Sequence, residues 1–593
     1  MAKQNQSSSS WKQFLRPKMK PIGSKVQSVE KTTLRHAKRF VISRLENVRS
    51  VRRHVLGWLV MIFILIGLAA LQMLFYEKNA THEVSESGGT YAEGMIDTFT
   101  TLNPLFASTA VEKSLSSALF VGLESYDRKG NLQNELADSV IISEKDKLYT
   151  VTLRPNLKWH DGKTLTSQDV AFTVGLMQNP KTGYRDAASW QNVQVSAKDD
   201  QTIVFRLKGP YAPFMSSLTF PILPKHILKS VKPELLQEHS FSHSPIGSGP
   251  FEYDGTQVIN INNGKSAVKL TAFKDYWNGQ PSLSNLIVYT YGSKADALKG
   301  LRSHEVSAVS DVYIKNRQRF IDRGYDVTNI SIDSGVYALL NLSRPLLQDA
   351  SLRKALVAST NRTVFEKDMN GQQLNAPLIT DYLPESSKHR QAAYDTKTAE
   401  QFFSQAGWKK TDNKLTKDGK PLELTITSID KPRYRQAADL LAKQWRNAGI
   451  KVTTQYVDPD QIQQSTLKPR SYDVLIYELE IGADPDVTAY WHSSGRTGNG
   501  LNLSEYSSGI VDDALTAARL RGDMSVRDSK YTTFVKEWLK DVPAIALYRP
   551  TLNYVSNQNI HSFESSDVLP SQSDRFDSAQ YWSVGDRVVY RTP

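Results

Sequence analysis

Apolar and polar positions alternate cleanly where the chain reads Tyr149, Val151 and Leu153 between Thr150, Thr152 and Arg154. That is the two-residue period of a half-buried strand, and Pro155, which has no N–H, ends the pairing. Asp161-Gly162 predicts a turn. Thr166, followed three residues later by Asp169, predicts a capping box that opens a helix with Val170, Val174 and Met177 on its apolar positions. Residues 203–207 alternate as another strand. Further on, residues 422–426, 433–447 and 450–457 read as strand, helix and strand. Leu440, Leu441, Gln444 and Trp445 fall on helical spacing there, and Gly449 closes the helix. Strands joined in this way are expected to run parallel through a right-handed crossover. Residues 472–477 add a strand to a mixed sheet, and Asp349 is placed to cap the helix that follows it. The pattern is α/β, and no fixed-period repeat points to a solenoid or propeller.

Residues 55–76 break this pattern: 22 residues without a charge, enough to cross about 30 Å of hydrocarbon as a helix. A cleaved signal peptide has a shorter apolar region followed by small residues, whereas Gln72, Met73, Leu74, Phe75 and Tyr76 follow here. The expectation is an uncleaved signal-anchor. Arg49, Arg52 and Arg53 lie just before it and predict a cytoplasmic N-terminus with everything after Glu77 outside, while Trp58 and Tyr76 fall near the two interfaces. Charge is distributed accordingly. Residues 1–54 hold 14 Lys and Arg against 2 Asp and Glu, and from Glu77 onward there are 59 of each. The net charge of +12 therefore belongs to the tail, and the neutral main body offers no basic face for nucleic acid.

The 593 residues allow about three or four domains, and a 40% hydrophobic content is ordinary for a globular chain. There is no cysteine, which excludes disulfides, thiolate metal sites, a thiol nucleophile and a lipid-modified cysteine anchor. The chain contains neither a G-x-S-x-G elbow nor an H-E-x-x-H helix. Ser465 and Lys468 fit S-x-x-K without its partner motifs. The glycines of Ser244 to Phe251, SPIGSGPF, allow positive φ and close packing, but no Lys-Ser/Thr follows them as a phosphate loop requires. The 11 histidines are scattered, so no catalytic residue and no metal ligand is assigned.

The stretch at 149–177, YTVTLRPNLKWHDGKTLTSQDVAFTVGLM, closely resembles the signature of the extracellular solute-binding proteins of peptide and nickel uptake, family 5. Other landmarks follow in the family's order: Leu102-Asn103-Pro104-Leu105, residues 119–123, Leu136-Ala137-Asp138, residues 221–226, the SPIGSGPF loop, YWNGQP from Tyr276, residues 352–356 with Asn361-Arg362, Ala406-Gly407-Trp408 and residues 542–548. The resemblance implies a two-lobed periplasmic-binding-protein-like fold (class II), with an extra subdomain in the first lobe and one transmembrane helix before it. On that basis residues 1–54 are a basic cytoplasmic tail, 55–76 the anchor and 77–88 a linker. Residues 89–311 are lobe I, with the inserted subdomain at about 118–232; 312–545 are lobe II, and 546–593 return to lobe I.

By the same resemblance the chain captures an oligopeptide in the cleft between its lobes and delivers it to the permease subunits of an ABC importer, with no cofactor and no catalysis. A non-peptide solute (metal chelate, sugar or signal molecule), an envelope hydrolase and a surface protein without a ligand stand as alternatives. Family position puts the loop Ala107, Ser108, Thr109 and Ala110 against the ligand. The carboxylate that holds a peptide's ammonium in relatives falls here on Ile481, so Glu480 and Asp484 are its candidate replacements, although adjacent strand residues face opposite ways. Tyr477, Trp491 and Tyr548 are candidate aromatic lining, and Trp277 is expected to be structural.

Overall fold

The strand–turn–helix at 148–178 forms as its pattern dictates. Leu148–Leu153 alternates between buried and half-buried positions and Ser167–Gln178 is helical. The Asp169 carboxylate accepts from the Thr166 N–H at 2.9 Å and also from the Lys225 N–H at 2.9 Å. The side chain that opens the helix thus fastens the 221–226 segment to it, so two of the sequence landmarks are one structural unit. This computed structural model describes residues 48–85, 88–312, 317–381 and 383–590, so the tail expected over residues 1–54 lies outside them except for 48–54.

The chain divides into two compact units, one carrying the helix Val48–Ala80 and the other spanning Ser85–Arg587. Within that helix, His54–Met73 is long and apolar enough to cross a membrane, and side chains such as Trp58, Phe63 and Leu71 are exposed.

The second unit contains three sheets of consequence. The largest has eight strands in the order Val568–Leu569, Tyr325–Ile332, Thr551–Asn557, Ala308–Ser310, Thr90–Met95, Asn285–Thr290, Lys265–Ala272 and Phe251–Asn260. A four-stranded antiparallel sheet, Ala137–Ser143, Leu148–Leu153, Thr202–Leu207 and Val193–Ala197, is inserted between its early strands. One apolar core joins the two, with Val151 and Phe205 of the insert in the same cluster as Leu286 and Leu552. The third sheet has five strands, in the order Lys451–Val457, Glu423–Ile429, Val474–Glu480, Ser334–Leu340 and Ala544–Tyr548. Its parallel pair flanks helix Pro432–Ala448, which starts on a proline at its first position and ends on Gly449 at φ 104°. Along Ser334–Leu340, Val336, Ala338 and Leu340 feed one core while Tyr337 and Leu339 feed another. Both faces of that strand are covered, which is why it is buried throughout.

The chain passes between the large lobes twice, at Asp333 and at Arg549–Pro550. These points correct the expected boundaries at 311/312 and 545/546. Tyr325–Ile332 pairs along its length with Thr551–Asn557 in the first lobe, and Ala544–Tyr548 pairs with Ser334–Leu340 in the second. The two crossovers are tied together. Arg549 donates its Nε–H to the Ile332 carbonyl at 2.8 Å, forms a buried ion pair with Asp333, and reaches Asp381 at 2.6 Å. Burial pushes the Asp333 carboxyl up to about 6 despite the opposing charge of Arg549.

Candidate functional site

Glu112, at the third position of helix Ala110–Leu119, gathers the loop before it. Its carboxylate accepts from the backbone N–H groups of Thr100 (2.7 Å), Ser108 (2.8 Å) and Thr109 (3.0 Å), and the Thr109 hydroxyl accepts from the Glu112 N–H in return. Burial alone would raise its pKa, but the N–H donors of Ser108, Thr100 and Thr109 outweigh that and hold it below the usual carboxylate range. The far end of the helix is held as firmly. The Ser248 and Gly249 N–H groups donate to the Leu119 carbonyl, and His160 accepts the Gly247 N–H at its Nδ1 and donates from Nε2 to the Gly249 carbonyl. A Cβ on Gly247 would sit 1.9 Å from the Leu119 oxygen, and one on Gly249 would sit 2.5 Å from the Ala118 oxygen. Neither glycine has positive φ, so close approach to the helix end is what requires them.

Beside this helix lies a cavity of about 620 Å³. The expected loop divides in its use: Ala107 and Ser108 line the cavity, whereas Thr109 caps the helix and Ala110 begins it. The other walls come from distant parts of the chain, the segment from Phe120 to Tyr126 on one side and Asp574 and Asp577 on another. Five carboxylates line it, Glu124, Glu135, Asp186, Asp574 and Asp577, against two cations, Lys113 and Arg185. Glu135 is fully engaged by neutral donors, the Tyr276 hydroxyl at 2.5 Å, the Trp277 Nε1–H at 2.8 Å and the Ser125 hydroxyl at 2.8 Å. Trp277, which also carries Arg154 over its ring at 4.2 Å, is half-buried.

Glu124 is only 2% exposed and its Oε1 has no hydrogen-bond partner. Burial, reinforced by the charge of Glu135, pushes its carboxyl up to about 7. Asp574 and Asp577 are raised too, first by burial. The field of Glu480 reaches Asp574, and that of Asp484 and Asp333 reaches Tyr126, whose hydroxyl burial pushes up to about 12. The second lobe's acidic stretch thus lies near enough for its charge to act on the cavity, although the wall residues themselves all belong to the first lobe and its insert.

In that stretch the two candidate carboxylates differ. Asp484 is locked to Arg527 by two contacts, at 2.6 and 2.9 Å, with the arginine only 3% exposed. It is committed to the fold and is not open to an incoming ammonium. Glu480 ends the strand Val474–Glu480 exposed to solvent, and among the described residues its carboxylate makes no hydrogen bond or ion pair. Ile481, at the family's acidic position, packs into an apolar core while its N–H donates to the Asp333 carbonyl.

The aromatic expectations need correction as well. Trp491 is buried against Tyr337 and Trp538, with its Nε1–H on the Pro377 carbonyl, and Tyr548 is buried and stacked on Phe365. Both belong to the second lobe's cores, because their elements are covered on the faces those rings occupy. Tyr477 is half-buried beside them. Sequence reasoning missed Glu124, Asp574 and Asp577. The available signal was one acid ending an apolar run, Leu119 to Leu123, and nothing near it named its partners about 450 residues away.

Comparison with known proteins agrees with this architecture. A model of bacterial extracellular solute-binding proteins, family 5 (middle), matches residues 131–500. The chain belongs to that family. It is 27% identical over 495 residues to the oligopeptide-binding protein AppA of Bacillus subtilis, covering 81% of this chain and 89% of that protein. The structure of that AppA in complex with a nonapeptide superposes with a TM-score of 0.68 at 23% identity, covering 85% of this chain and all of the other (100%). CtaP of Listeria monocytogenes, an ABC transporter substrate-binding protein, gives 0.73 at 21% identity over 84% and 100% of the two chains. NikZ of Campylobacter jejuni in complex with Ni(L-His) gives 0.69 at 23% identity over 83% and 99%. The mixed α/β architecture is that of two-lobed periplasmic binding proteins.

Proposed function

We propose that this chain is the substrate-binding component of an ATP-driven importer, taking oligopeptides between its lobes and handing them to a permease. It is held at the membrane by the helix around His54–Met73, with Ser85–Arg587 on the outer side. The observation that carries this reading is its similarity to oligopeptide-binding AppA across 89% of that protein's length. Geometry supports it: two crossovers pinned by Arg549 form a hinge beside a cavity large enough for several residues of a peptide. Glu480, the free carboxylate at the second lobe's edge, is the group that orients the peptide's ammonium. Binding and release, rather than turnover, are the task.

Native mass spectrometry of the full-length chain, purified in detergent from its own host, tests the proposal. A ladder of co-purified peptide masses is expected. One defined non-peptide mass, such as a metal chelate or a sugar, would overturn the peptide assignment, and hydrolysis of added peptide would overturn the receptor reading itself.

A further inference from the structure

Glu124 differs from the other acids around the cavity. Glu135 is satisfied by three neutral donors and Asp574 accepts the Ser571 N–H at 2.8 Å, but Glu124 is buried with Oε1 unpartnered. Burying a carboxylate without a partner is unfavourable, so a fold retains one where something else completes it. Neither wall cation completes it, since Lys113 and Arg185 form no ion pair among the described residues. Five carboxyl groups against two bases also make the cavity rich in groups that a cation can draw into their charged form. A compact metal ion does not suit it: no group of three or more His, Asp or Glu among the described residues is arranged to hold one. What remains is a cation that spreads its charge over a larger volume and brings its own N–H donors.

We propose that this cavity receives an organic cation, the ammonium or guanidinium of a basic ligand, with Glu124 as its hydrogen-bonding partner and Asp574 and Asp577 as further wall carboxyl groups that ionise as the cation arrives. The inference rests on the reading of the chain as a peptide receptor and narrows its substrates to basic peptides. A volume of about 620 Å³ holds a lysine or arginine side chain together with neighbouring backbone. Because burial and Glu135 push Glu124 up to about 7, an arriving cation also draws it fully into its charged form.

The test is calorimetric titration of the full-length chain and its Glu124→Gln variant with penta-alanine peptides carrying lysine, or uncharged norleucine, at each position in turn. N-acetylated penta-alanine, spermidine and agmatine complete the set. At one position lysine is expected to bind at least tenfold tighter than norleucine, and Glu124→Gln to cut that preference below threefold while norleucine peptides change less than twofold. A preference that instead tracks the free N-terminus, lost on acetylation and absent in Glu124→Gln, supports the same cavity with the peptide's own ammonium in it. Peptides that bind with no such charge preference overturn the inference and leave the peptide reading intact. If no peptide binds, the peptide reading fails; Glu124-dependent binding of spermidine or agmatine then upholds the cation site, and its absence overturns that too. Glu124→Gln removes an unfavourable burial, so its melting temperature is expected at or above that of the native protein; Asp577→Asn, with the same loss of lysine preference expected, is the second variant.

Discussion

At the scale of single residues, Glu480 and Asp484 carry the same charge four positions apart and do different work. Asp484→Ala leaves the Arg527 guanidinium buried without its counter-charge, and denaturant unfolding should show a loss of about 3 kcal/mol. Glu480→Ala, at an exposed strand end, should stay within about 0.5 kcal/mol of the native stability while weakening binding of peptides with free N-termini at least fivefold. His160 gives a second contrast. Burial pushes its imidazole down to about 4, against an ordinary value of 6.5, and outweighs the opposing hydrogen bond to the Gly249 carbonyl and the charge of Asp161. The folded protein refuses a proton that the unfolded chain takes up. Stability from this residue is therefore complete above pH 6.5 and is lost as pH falls from there toward 4. Thermal melts of His160→Ala should be lower than native at pH 7.5 and should lose less on acidification across that window.

At the scale of elements, local signals were legible and long-range ones were not. The Thr166–Asp169 cap, the helix it opens and the strand–helix–strand at 423–457 could be read because caps, turn residues and side-chain periods act within a few positions. Sheet membership could not be. Tyr325–Ile332 belongs to the first lobe only because Thr551–Asn557 pairs with it from far along the chain, so the lobe boundary fell one strand too early. Trp491 and Tyr548 were misplaced for a related reason, since an aromatic ring suits a core and a cleft wall equally well until the facing element is known. The SPIGSGPF loop shows how a landmark acts through its neighbour. Gly247→Ala would drive a methyl into the Leu119 carbonyl, and it should cost about 3 kcal/mol and also weaken ligand binding, because helix Ala110–Leu119 presents Ser116 and Ser117 to the cavity.

At the scale of the whole molecule, the lobes meet away from the hinge as well as at it. Arg519 of the second lobe lies 5.0 Å from the ring centre of Tyr211 in the inserted subdomain, accepts the Ala212 N–H on its carbonyl at 2.7 Å, and is held at 2.9 Å by Asp486. On the proposed hinge mechanism such a contact is made when the lobes approach and broken when they part. Arg519→Ala removes a cation–π contact of about 1 kcal/mol and should speed ligand dissociation roughly fivefold in stopped-flow measurements, with a lower melting temperature because the nearly buried Asp486 loses its counter-charge. The cavity's acids also lie far apart in the chain. Glu124 and Glu135 belong to an early segment, whereas Asp574 and Asp577 are held near them by a late one that Arg575 anchors to Glu93 at 2.6 Å and Trp582 to Tyr91 by ring contact. A chain made from its N-terminus has translated 573 of its 593 residues before the first of the second pair of acids exists. On the proposed site, ligand capture would therefore wait for the last residues of the chain to be made and folded against the first.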